Sequence, residues 1–130
     1  MNNSFPGCRV LVIEDEVMVS WILEDMLAEL GCVVVGPAVR VDQAVAMVES
    51  EAFEFAVLDV NLNGEKSYSV AEALIARDVP FVFSTGYSKD NMPSRYKPFP
   101  VLQKPYERER LIAHLAHRST PKDWLLRLEQ

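Results

Sequence analysis

Cysteine is scarce in this 130-residue chain, which has only Cys8 and Cys32. Two thiols cannot complete a zinc site on their own. Both stand in apolar runs and read as buried small hydrophobes. Basic residues are also in deficit, 13 against 19 acids, for a net charge of −6. That balance argues against nucleic acid as a direct partner, because phosphate contacts need clustered Lys and Arg. No apolar run reaches transmembrane length, since charge breaks every hydrophobic stretch within a few residues. Membrane insertion is not expected. The opening MNNSFPG lacks both the basic and the apolar region of a signal peptide, so the expected compartment is cytoplasmic. No internal repeat, low-complexity tract or Gly/Ser/Pro linker divides the chain. Its length suits one domain, large enough to bury a core without disulfides or a structural metal.

What is present is a rhythm of short apolar runs and amphipathic stretches. Residues 8–13 (CRVLVI) are nearly continuous and β-branched, as in a strand buried on both faces. Val19, Ile22, Leu23, Met26, Leu27 and Leu30 then recur at helical spacing, with Gly31 as the C′ residue. A second strand, residues 32–35, is closed by Gly36-Pro37. Val41, Ala44, Val45 and Val48 mark a second helix with a poor N-cap. The third strand covers residues 55–58 and ends at Asp59. A polar loop over 61–68 leads to Ser69-Val70-Ala71-Glu72, which reads as a capping box. Residues 81–83 and 101–102 are the last two strands, and residues 107–117 the last helix of the repeat. Five βα units predict an α/β fold, a doubly wound parallel sheet with helices on both faces.

In such a sheet, ligands bind outside the carboxyl ends of the strands. Strand one ends in Glu14 and Asp15, strand three in Asp59, strand four in Thr85 and strand five in Lys104. Strand two offers only Gly36-Pro37. Singly, each polar residue reads as a cap, a turn or a solvated charge. Jointly they crowd the crevice that the topology creates. Three carboxylates repel one another, and a divalent cation resolves the conflict. Oxygen-only ligands with few carboxylates suit Mg²⁺, which keeps several waters and often bridges to phosphate. Lys104 and Thr85 supply a point charge and a hydroxyl suited to phosphate oxygens. An Asp carboxylate can itself take a phosphoryl group as an acyl phosphate.

At Val12-Ile13-Glu14-Asp15-Glu16, Val57-Leu58-Asp59-Val60-Asn61, Ser84-Thr85-Gly86 and Lys104-Pro105, the chain resembles the receiver domain of two-component response regulators. The resemblance spans residues 9–117 and implies the five-stranded, flavodoxin-like order 2-1-3-4-5. It implies Asp59 as phosphoacceptor, and Asp15, Asp59 and the Asn61 carbonyl as Mg²⁺ ligands, with Glu14 reaching the metal through water. It implies that Thr85 and Lys104 contact the phosphoryl group and that the bond before Pro105 is cis. It implies a histidine kinase or a histidine phosphotransfer protein as donor, an output through protein contacts, and a regulatory role rather than enzymatic turnover. Residues 80–87 resemble a narrower, often stand-alone subgroup with Phe-Ala-Thr-Gly-Tyr, in which Ser84 replaces the Ala.

Two features depart from the family pattern. Most receivers carry an aromatic switch residue where Val101 stands, which leaves Tyr87 as the candidate for that role. Pro93, Pro98 and Pro100 fall in the fourth-helix region, which should therefore be short, displaced or irregular. Residues 1–7 read as an arm, 8–118 as the domain and 119–130 as a helical tail started by Thr120 and Pro121. The Trp124, Leu125 and Leu128 stripe of that tail packs on its own domain or docks into a partner or a second copy. Trp21 reads as boundary packing, and His114 and His117 as an exposed helix face. The rival functions are a haloacid-dehalogenase-like phosphatase and a pseudo-receiver scaffold that takes no phosphoryl group. The first usually needs an Asp two residues after the nucleophile, where this chain has Asn61. The intact set Asp15, Asp59, Thr85 and Lys104 argues against the second.

Overall fold

The computed structural model describes residues 4–86 and 91–128. Strands β1 (Arg9–Ile13), β2 (Val33–Ala38), β3 (Phe55–Asp59), β6 (Phe81–Thr85) and β7 (Val101–Gln103) form one parallel sheet in the order β2-β1-β3-β6-β7. This is the predicted doubly wound order. A two-stranded ribbon, β4 (Asn61–Leu62) with β5 (Glu65–Lys66), follows β3. The helices are α1 (Val17–Glu29), α2 (Val41–Ser50), α3 (Tyr68–Arg77), α4 (Arg108–Ala116) and α5 (Pro121–Leu128).

Alternation along the central strands divides the core in two. Leu11, Ile13, Ala56, Leu58, Phe81 and Phe83 share a cluster with Ala44 and Val48 of α2 and Val70, Ala71 and Leu74 of α3. Val10, Val12, Phe55, Val57 and Val82 share the other with Leu23 and Leu27 of α1 and Leu111 and Leu115 of α4. Both faces of β1, β3 and β6 are therefore dry, which is why these runs are apolar without polar alternation. Apart from Arg9 at the start of β1, their polar residues gather at the carboxyl ends.

Several local expectations hold. The α1 helix closes with Gly31 N–H on Ala28 O and Cys32 N–H on Leu27 O, the paired bonds of a Schellman end. Both cysteines are buried. Thr120 starts α5, its hydroxyl accepting the Asp123 N–H at 3.4 Å. That helix lies back on its own domain: Trp124 and Leu125 pack against the first cluster, and Lys122 N–H donates to Asp78 Oδ1 at 2.9 Å.

Other expectations need correcting. Gly36-Pro37 does not close β2; the strand runs on to Ala38, whose carbonyl accepts the Glu14 N–H at 2.9 Å. An edge strand tolerates the missing proline N–H. The Ser69–Glu72 capping box does not form. Ser67 is the N-cap residue, and Glu72 instead accepts from Arg95 Nε (2.7 Å), Arg95 Nη2 (2.9 Å) and Tyr96 Oη (2.5 Å). Trp21 is 58% exposed rather than packed at a boundary. His114 is half-buried, its imidazole pKa lowered mainly by burial, while His117 is exposed.

Between β6 and β7 the described residues include a 3-10 turn, Ser94–Tyr96, and no α-helix. Pro93 precedes it in extended conformation, as the proline content predicts. Aromatic packing holds this segment down. Tyr96 stacks on Tyr68 with ring centroids 4.8 Å apart, and Phe99 stacks on Phe81 at 5.1 Å.

Gly36 is the backbone's tightest constraint. Its φ is +97°, and a Cβ there would lie 2.8 Å from Val12 O and 2.9 Å from Ala38 N. Gly64 also has positive φ, +80°, but open space around it. We expect Gly36→Ala to cost about 2 kcal/mol or more and Gly64→Ala about 1 kcal/mol, read from urea unfolding midpoints. Equal losses would contradict the packing argument.

Candidate functional site

The carboxyl ends of β1, β3, β6 and β7 deliver the expected residues to one cleft. Asp15, Asp59, Asn61, Thr85 and Lys104 all line a cavity of about 750 Å³, with Glu16, Gly64, Lys66 and Gly86 around it. The edge strand β2 contributes none of them. Glu14 and Asp59 are buried, at 2% and 5% exposure. Carboxylate oxygens of Glu14, Asp15 and Asp59 lie within 4.8 Å of one another.

Each side chain is held in place. Asp59 Oδ1 accepts the Asn61 N–H at 3.1 Å, and the Asp59 carbonyl accepts the Ser67 hydroxyl at 2.5 Å. Glu14 Oε2 accepts the Glu16 N–H at 3.0 Å. Asp15 Oδ2 accepts the Asn63 N–H at 3.0 Å, from 48 residues away in sequence. That contact needs the β4–β5 hairpin, whose Asn63 and Gly64 both have positive φ (52° and 80°). An Asn-Gly pair between two strands is the favoured sequence for such a turn. The dipeptide was the available signal for a ribbon where only a polar loop was expected.

Lys104 sets the electrostatics. Its Nζ lies 3.0 Å from Asp59 Oδ2 and 2.8 Å from Glu14 Oε1. Burial alone would lower the Lys104 pKa, but the bonds and charges of Glu14 and Asp59 outweigh it and hold the ammonium above the ordinary lysine range. Burial pushes Glu14 up to about 7; Lys104 opposes the rise and Asp59 adds to it. Lys104 N–H donates to Thr85 O at 2.9 Å, and the Lys104–Pro105 peptide is cis, as expected. Thr85 is buried, at the end of β6. Tyr87 lies outside the described residues, and its tuning role with it. The sequence reasoning also missed Tyr106, whose hydroxyl lies 2.6 Å from Ser84 Oγ. The signal was a serine in a strand that is otherwise apolar up to Thr85.

The donor set fits a hard divalent cation. All candidate ligands are oxygens, and three carboxylates gather around the half-buried Lys104 ammonium. His114 and His117 form no such cluster among the described residues.

The family model described as the response regulator receiver domain matches residues 10–116, most of the chain. The chain belongs to that family. The receiver is similar to the solution structure of SdrG from Sphingomonas melonis Fr1, with 47% identity and a TM-score of 0.76, covering 85% of this chain and 94% of that one. It is also similar to the receiver domain of PhyR from Erythrobacter litoralis, at 27% identity and a TM-score of 0.76, covering 87% and 90% of the two chains. The receiver domain of the sensor histidine kinase PA1611 from Pseudomonas aeruginosa PAO1 shares the fold, at 24% identity and a TM-score of 0.71, covering 86% and 97%. That structure holds a magnesium ion in its active-site cleft. A comparison with curated proteins finds no match. No helix among the receiver's described residues is long and apolar enough to cross a membrane.

The buried Glu14 makes stability depend on pH. Its carboxyl holds a proton up to about pH 7 in the folded receiver, and only to the ordinary 4.5 when unfolded. The folded state therefore binds the extra proton between these values, and stability falls as pH rises through that window. Lys104, raised in the folded state, stays charged throughout and does not reverse the slope. We expect the urea midpoint of the metal-free chain to fall between pH 4.5 and 7 more steeply than that of Glu14→Gln. Identical slopes would contradict the assignment.

Proposed function

We propose that this receiver takes a phosphoryl group on Asp59 from a phosphohistidine donor and uses the modified state to change its protein contacts. The observation that carries the reading is the buried Asp59 carboxylate, ion-paired to Lys104 at the mouth of an oxygen-lined cleft. One carboxylate oxygen attacks phosphorus as the bond to the imidazole nitrogen breaks, and the electron pair stays with the leaving imidazole. Lys104 already touches Asp59 Oδ2 and moves to a phosphoryl oxygen as negative charge builds there. Thr85 brings its hydroxyl to a second phosphoryl oxygen and draws the end of β6 with it. Asp15, Asp59 and the Asn61 carbonyl would hold Mg²⁺, with Glu14 beside them. A bound ion would supply positive charge to offset that of the phosphoryl group. The magnesium in the Pseudomonas receiver's cleft supports this choice of ion.

The role is regulatory rather than enzymatic. A phosphatase built on the same acceptor chemistry needs a general acid near Asp59, and the residue two positions on is the amide Asn61. The candidate donors are a histidine kinase or a histidine phosphotransfer protein. A surface beside the cleft suits either. The α1 helix starts close after β1 and leaves Val17, Met18, Trp21 and Ile22 exposed, at 50–66%. An apolar patch rimmed by charge marks an interaction site.

Incubation with Mg²⁺ and acetyl phosphate should add one phosphoryl group to the parent chain by intact mass and none to Asp59→Asn. Addition to both would place the acceptor elsewhere. Trp21→Ala should slow transfer from a phosphorylated protein donor by about tenfold or more, as loss of an aromatic anchor does, while leaving the acetyl phosphate rate unchanged. Equal slowing with both donors would remove α1 as the docking face.

A further inference from the structure

One pair of hydroxyls lies behind the cleft and takes no part in the chemistry above. Ser84 is fully buried in β6, at 0% exposure, between Phe83 and Thr85. A hydroxyl in that setting needs a partner. It finds the Tyr106 hydroxyl at 2.6 Å. The Tyr106 ring packs against the second core cluster. Burial is the largest influence on its phenol and pushes the pKa up to about 12, so the O–H and its bond persist at neutral pH.

The location of this bond gives it a use. Ser84 pairs with Asp59 in the β3–β6 ladder, and Val60 N–H donates to Ser84 O at 3.0 Å. Tyr106 lies two residues beyond Lys104, past a proline that has no N–H to donate. The backbone of Lys104 is thus fixed on one side by its own N–H on Thr85 O, at 2.9 Å. On the other side it is fixed by Tyr106 on Ser84. Both anchors are consecutive residues of the strand that lies against the acceptor strand. Lysine has a long, flexible stem, so the place of its ammonium depends on how firmly its backbone is held.

We propose that Ser84 and Tyr106 act as a positioning pair that sets the Lys104 ammonium against Asp59. The inference rests on the reading of Asp59 as phosphoacceptor. Neither hydroxyl touches the phosphoryl group. Their bond ties the loop after β7 to β6, so that Lys104 meets the reacting oxygens without searching. Displacements of about 1 Å are enough to slow such reactions by up to about a hundredfold.

The test uses Ser84→Ala, Tyr106→Phe and the double variant, each of which removes only hydroxyl oxygen. The saturating rate of phosphorylation by acetyl phosphate and the affinity for Mg²⁺ alone are measured for each chain. We expect each single variant to lose roughly tenfold in the saturating rate, with Mg²⁺ affinity unchanged. The double variant should be no slower than the slower single one, since both hydroxyls serve one bond. Rates within about twofold of the parent, or losses that multiply in the double variant, would overturn the pairing. A second readout needs no phosphoryl transfer. The ¹⁵N-labelled Lys104 ammonium, assigned with Lys104→Met, should give a sharp, slowly exchanging NMR signal in the parent. That signal should broaden or vanish in both single variants. An unchanged signal would overturn the proposal by itself. A parent that takes no phosphoryl group but shows this loss would remove the acceptor reading and leave the positioning pair standing.

Discussion

A single ammonium between two buried carboxylates is the interaction on which the carboxyl end of this sheet depends. Lys104 Nζ lies 2.8 Å from Glu14 and 3.0 Å from Asp59, two buried carboxylates whose mutual repulsion it offsets. Breaking such a buried pair by removing one partner leaves an uncompensated charge and is strongly destabilising. Much of the local architecture serves to keep the three groups together. The β1–β3 register places the strand ends side by side, and Lys104 arrives from the far edge of the sheet through its bond to Thr85. The arrangement remains acid-rich even so. Asp15 adds a third carboxylate, which accepts the Asn63 N–H. A site built this way is suited to gaining positive charge, and then to sharing that charge with a phosphoryl group.

The fold was legible because its determinants are short-range patterns. Apolar runs such as VLVI and FAVL are too continuous for a half-exposed strand, and helical stripes separate them. Strand ends were legible for the same reason: chemistry collects where the apolar run stops. What stayed hidden depended on partners distant in sequence. The motif Ser69-Val70-Ala71-Glu72 has the spacing of a capping box, yet Glu72 is claimed by Arg95 and Tyr96, more than twenty residues away. Gly36-Pro37 reads as a terminator, yet β2 is an edge strand and continues through it. Trp21 read as boundary packing because it is large and apolar, yet it is exposed, and periodicity alone does not show which face lacks a partner.

The segment between β6 and β7 shows how composition reshapes one part of a common plan. Among the described residues there, Pro93 leads into a short 3-10 turn, and an aromatic cluster packs the segment down through Tyr96 and Phe99. The bidentate Arg95–Glu72 pair fastens the same stretch to α3. Tyr68, on which Tyr96 stacks, follows Ser67, whose hydroxyl holds the Asp59 carbonyl. The stretch is therefore joined by contiguous contacts to Asp59. Asp59 and the described residues between β6 and β7 belong to one packed unit.

The central claim is that Asp59, rather than either neighbouring carboxylate, carries the phosphoryl group. An acyl phosphate is reduced by borohydride to the corresponding alcohol, which marks the residue permanently. Fragment mass spectrometry of the reduced chain, after transfer from a phosphorylated histidine protein in Mg²⁺, locates that mark. The account predicts homoserine at position 59 and unmodified Glu14 and Asp15. A mark on Glu14 or Asp15, or none on a chain that had consumed the donor's phosphoryl group, would contradict it.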